Sequence, residues 1–142
     1  MKNLSALLFL LLLSTLAGAQ ELNKPNFVKQ PGTVSGEITF KEVVGSSLAK
    51  FKCSNLLASA SKLGGGWQVK SQATGDFAKR RCTFTLPAIP AGEQFVAVLN
   101  ARMPACDQKT FDATTSFPME LKPGQAMKYN FSVTKISCVL LK

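Results

Sequence analysis

Apolar and polar residues alternate with a period of two along most of this chain. Val34-Ser35-Gly36-Glu37-Ile38-Thr39-Phe40 puts Val34, Ile38 and Phe40 on one face, the signature of a half-buried strand. After a turn at Gly45-Ser46-Ser47, residues 49–56 set Phe51 and Cys53 inward and Lys50, Lys52 and Ser54 outward, which predicts a second strand. Leu56 to Leu63 fits either a continuation of that strand or one helical turn. Gly64-Gly65-Gly66 ends it; Trp67 to Lys70 reads as a short strand and Ala73-Thr74-Gly75-Asp76 as the turn after it.

The stretch RRCTFTLPAIPAGEQFVAVLN reads as strand, break, strand. Cys82, Phe84 and Leu86 alternate with Arg81, Thr83 and Thr85, which predicts a strand over residues 80–86 with a polar outer face. Pro87 and Pro90 have no N–H for a ladder, so pairing is expected to stop there. Phe95, Ala97 and Leu99 then alternate with Val96, Val98 and Asn100. That strand is apolar on both sides, as in a central strand covered from two directions.

Residues 101–117 read as a long connection with weak strand character at 110–114. Met119-Glu120-Leu121 is a candidate short strand and Lys122-Pro123-Gly124-Gln125 a type II turn. Over Met127 to Leu141 the inward phase moves from Tyr129, Phe131 and Val133 to Ile136, Cys138 and Leu140, which predicts a β-bulge near Thr134-Lys135. Many short strands without a helical period define an all-β chain, expected to be an antiparallel β-sandwich of about seven strands.

The N-terminus changes the picture of where this domain works. Lys2, the apolar run Leu4 to Leu16 and Ala17-Gly18-Ala19 have the form of a signal peptide over residues 1–19, cut before Gln20. The run is too short for a membrane span. Residues 20–32 then form an extended lead-in, and residues 33–142 the sandwich. The expected location is secreted or periplasmic. Of the 17 Lys and Arg, 16 remain without Lys2, against 8 Asp and Glu, so the product is basic.

Cys53, Cys82, Cys106 and Cys138 all follow the leader, and an even count in an exported chain implies two disulfides rather than metal or redox work. Three pairings are possible. Cys53–Cys82 with Cys106–Cys138 is favoured, because each then closes a loop of about 30 residues, worth on the order of 3 kcal/mol.

The order of elements resembles the prealbumin-like (transthyretin-like) sandwich, in particular the carboxypeptidase regulatory-like domains. The resemblance spans residues 33–134 and rests on Gly36-Glu37-Ile38-Thr39-Phe40, on Phe84 through Phe95 with its Ile89-Pro90-Ala91-Gly92 core, and on Leu121 to Phe131. It implies a small antiparallel sandwich. The four cysteines, the longer break before Gly92 and the connection 101–117 depart from that pattern.

Candidate chemistry is sparse. The chain has no histidine, which excludes Ser-His-Asp and Cys-His catalysis and imidazole metal sites. Ser47-Leu48-Ala49-Lys50 and Ser59-Ala60-Ser61-Lys62 both spell S-x-x-K but lack the partner motifs of a serine-lysine enzyme. No enzyme activity and no cofactor is expected. A binding role draws on Lys50, Lys52, Lys62, Lys70, Lys79, Arg80 and Arg81, which would gather on one face if segments 50–56 and 80–86 are neighbours. The expected partners are an anionic glycan, a lipid head group or an acidic protein, not nucleic acid. The competing reading is a solvated outer face that discourages edge pairing. Trp67 offers either a ring for stacking on a sugar or a core residue. The alternative function is inhibition of an extracellular enzyme with an acidic surface.

Overall fold

The structure is a computed structural model, and it describes residues 29–103, 106–111 and 115–141. The leader 1–19 and most of the lead-in, 20–28, lie outside the described residues. Among the described residues nine strands form: β1 Gly32–Val44, β2 Leu56–Lys62, β3 Gln68–Gln72, β4 Thr74–Asp76, β5 Arg81–Ile89, β6 Phe95–Ala101, β7 Gln108–Phe111, β8 Ala126–Lys128 and β9 Phe131–Val139. Three short 3-10 turns cover Ser46–Lys50, Cys53–Asn55 and Phe77–Lys79.

They build an all-β sandwich of two sheets. The larger has the order β4-β5-β1-β9-β7 with β8 also beside β1, and the smaller the order β3-β2-β6. Both disulfides are the favoured pairs, Cys53–Cys82 and Cys106–Cys138. Alternation explains the layering. The large sheet turns Val34, Ile38, Phe40, Cys82, Phe84, Leu86, Phe131 and Val133 into the core, and the small sheet answers with Leu56, Ala58, Ala60, Phe95, Ala97 and Leu99. Phe84 packs on Phe131 at 5.2 Å between ring centres. At one side the chain passes from β3 directly into β4 through the buried Ala73, so a single extended segment crosses from the small sheet to the large one.

Several local expectations are corrected. The antiparallel pattern holds for most pairs, but β1 runs parallel to both β8 and β9. Those two strands share one register against β1: Ser35 pairs with Lys128 and Ile38 with Phe131. They are one strand interrupted at Tyr129-Asn130. The interruption sits against Gly36, where an added Cβ would lie 1.7 Å from the Tyr129 carbonyl oxygen. There the Asn130 side chain substitutes for backbone and accepts from the Glu37 N–H at 2.9 Å.

The second strand expected at 49–56 is instead a pair of 3-10 turns, with the strand beginning at Leu56. Phe51 and Cys53 are buried all the same. The turn expected at 73–76 contains β4. Pairing does not stop at Pro87: β5 continues to Ile89 because a bulge puts Pro87 and Ala88 opposite one residue of β1, with Ala88 at φ 55°. The bulge absorbs the missing proline N–H.

The strand β6 is not central. It lies at the edge of the small sheet, and its free side is partly closed by bridges from Thr115 to Val98 and from Met119 to Phe95. The Met119 bridge is all that forms of the expected strand 119–121. Finally, the phase change in β9 is real but involves no slip against β1. Phe40 pairs with Val133 and Val43 with Ile136, so both strands change phase together around the skipped pair Lys41 and Thr134.

Candidate functional site

Gly45 ends β1 with φ 109°, and a Cβ there would lie 2.0 Å from the Cys138 carbonyl oxygen, so only glycine lets the chain turn off the sheet at this point. The chain then coils through Ser46–Lys50 and Cys53–Asn55. The second turn is capped by Asn55, whose side-chain oxygen accepts from the Lys52 N–H at 2.8 Å. On the facing side Asp76 starts the turn Phe77–Lys79 by accepting from the Ala78 N–H at 3.0 Å. Arg80 ends that turn at φ 54°, its N–H bonded to the Phe77 carbonyl at 2.8 Å.

These two coils are pinned together. Cys53 is bonded to Cys82 of β5. Phe77 stacks edge-on to Phe40 at 5.1 Å and tilted on Phe51 at 4.6 Å. Between them remains a cleft of about 590 Å³. Leu48, Phe51 and Phe77 form its apolar floor, Thr74 and Asp76 stand in its wall, and Lys52 and Arg80 lie at its mouth.

The structure therefore brings together part of the predicted basic set. Lys52 and Arg80 line the cleft; Lys50 and Lys79 flank lining residues and are exposed. Segments 50–56 and 80–86 are neighbours as the gathering required, through a disulfide rather than a strand ladder. Among the described residues none of these four cations makes an ion pair.

The remainder is dispersed, which corrects the expectation of one face. Arg81 points to the outer side of the large sheet and pairs with Glu37 at 3.8 Å. Lys70 is exposed on β3. Lys62 pairs with Glu93 at 3.5 Å beside Trp67. The Trp67 ring is half-buried 6.0 Å from Phe95, and its indole N–H donates to the Glu93 carboxylate. That donation is the main cause holding the Glu93 carboxyl below its ordinary range, with partial desolvation opposing it and the charges of Lys62 and Lys29 assisting. Trp67 therefore packs against the core and is bonded at its polar end.

No serine-lysine pair forms at Ser59, whose buried hydroxyl donates to the Val98 carbonyl at 3.4 Å while Lys62 is engaged with Glu93. Among the described residues no group of three or more His, Cys, Asp or Glu could hold a metal ion, and no helix is long and apolar enough to cross a membrane. Sequence reasoning missed Leu48, Phe77 and Asp76 as parts of a site. The Asp76-Phe77 pair was the available signal, a helix-capping residue ahead of an aromatic.

Comparison with known proteins finds no matching family model, no matching curated protein and no matching solved structure.

Proposed function

We propose that this chain is an exported, non-enzymatic binding module of the cell envelope or extracellular space, and that it takes an anionic ligand on the rim formed by Lys50, Lys52, Lys79 and Arg80. The leader-like residues 1–19 and the two disulfides support a secreted or periplasmic setting. The observation that carries the binding role is that Lys52 and Arg80 line one concavity with no carboxylate in ion-pair range of either among the described residues. Cations left unpaired around a concavity focus a positive potential into it. An anionic glycan, a lipid head group or an acidic protein each carries the complementary charge.

The test is retention on immobilised heparin as salt is raised. A variant with Lys50, Lys52, Lys79 and Arg80 changed to neutral residues should elute at markedly lower salt than one with Lys41, Lys70, Lys109 and Lys122 changed, which removes the same number of charges from exposed positions outside the cleft. Equal elution of both variants would remove the rim as a site and leave only general surface charge. A second reading, an inhibitor of an extracellular enzyme with an acidic surface, draws support from Phe117. This ring is 89% exposed beside Pro118, and aromatic side chains of this kind anchor protein partners.

A further inference from the structure

We infer that the cleft selects a free amphipathic carboxylate, with the anionic head between Lys52 and Arg80 and an apolar body over Leu48, Phe51 and Phe77. The inference rests on the anion-binding reading above and adds to it the class of ligand. A polyanion needs only the exposed rim. It has no use for a concavity of about 590 Å³ with two phenylalanines and a leucine at its base, a size within the range of small-molecule sites.

Three features argue for the smaller ligand. The cleft is preformed, because the Cys53–Cys82 bond and the Phe40-Phe77-Phe51 stack fix its two coils in place. Its polarity is graded, from buried rings at the base to lysine and arginine at the mouth. Arg80, moreover, occupies left-handed backbone at φ 54°, a place that favours glycine or asparagine. Backbone in this sparsely populated region clusters at ligand sites, and here it places the Arg80 side chain on the lining of the cleft. Asp76 is the carboxylate in the wall; one of its oxygens is committed to the Ala78 N–H, and its charge directs an incoming anion toward Lys52 and Arg80.

The experiment titrates the purified protein with the fluorescent anion 8-anilinonaphthalene-1-sulfonate and displaces it with dodecanoate or dodecanol, with heparin retention measured in parallel. Dodecanoate should displace the dye at about tenfold lower concentration than dodecanol, the difference a charge-assisted contact supplies. Arg80→Gly should weaken dodecanoate about tenfold without lowering the unfolding temperature, because glycine relieves the backbone. Ala49→Trp, or Ala78→Trp should the first fail to fold, fills the cleft from an exposed lining position and leaves every charge. It should abolish dodecanoate binding while heparin retention persists.

Heparin retention without dodecanoate displacement would overturn this inference and leave the anionic rim standing. Loss of both would overturn the rim as well. Equal potency of dodecanoate and dodecanol, or sedimentation with phosphatidylglycerol vesicles without displacement by dodecanoate, would also overturn the free carboxylate.

Discussion

Replacing Cys53 and Cys82 together by alanine tests how the fold holds its site. The two disulfides bridge sequence separations of 29 and 32 residues. Loop-closure entropy grows only as the logarithm of loop length, so each crosslink should contribute nearly the same stability, about 3.7 kcal/mol. Against a typical domain stability of about 5–15 kcal/mol, losing one of them is severe but survivable. The effect acts mainly on the unfolded chain, which becomes more extended when the crosslink is gone and exposes more surface. Equilibrium urea unfolding should therefore show a lower midpoint together with a steeper dependence on urea. Cys106 and Cys138 replaced by alanine should lose a similar amount. The two variants should differ in function, since only Cys53–Cys82 ties the coil bearing Lys52 to β5 beneath the cleft. Anion binding should fall in the first variant and persist in the second. A loss below about 1 kcal/mol for either pair, or an unchanged urea dependence, would refute the entropic account.

Gly36→Ala should cost more than about 3 kcal/mol, because the new methyl meets the Tyr129 carbonyl, which is backbone and cannot rotate aside; thermal unfolding reads this directly. Ala88→Gly should stabilise by about 0.5–1 kcal/mol by relieving φ 55° at the bulge, and leave heparin retention unchanged. Trp67→Phe removes the N–H that holds the Glu93 carboxyl below its ordinary range. The depressed value means the ionised form favours the fold: its contribution is full above the unfolded pKa and lost as pH falls through the folded one. The gap in urea midpoint between wild type and Trp67→Phe should accordingly narrow on acidification below the ordinary glutamate range, and a gap that stays constant would assign the whole effect to ring packing.

The strands that alternate strictly were legible in the sequence: β1, β5 and β6 owe their faces to residues such as Ile38, Phe84 and Leu99, and periodicity is a local property. Of the three possible disulfide pairings, the one that loop length favours is the one that forms. What escaped was set by distant contacts. Residues 49–55 look extended because Phe51 and Cys53 are two apart. The aromatic stack on Phe77 and the bond to Cys82 instead hold this stretch in two 3-10 turns, too short to show their three-residue period in the sequence. The parallel placement of β9 beside β1 was likewise invisible, since pairing partners so far apart leave no mark in either strand. The candidate site was half legible for the same reason. Its cations could be named, but the coils that gather Lys52 and Arg80 and disperse Lys62, Lys70 and Arg81 depend on tertiary structure.

The parallel strand also sets the order of assembly. Glu37 and its partner Asn130 are 93 residues apart, and among the described residues β1 pairs on that side only with residues of the segment 126–139. The hairpin of β2 and β3 is local in sequence, but the middle of the large sheet stays open until residues 126–139 are present. Such a high contact order makes folding slow. A polypeptide that knits its centre from such distant segments remains threadable until both of them have been made.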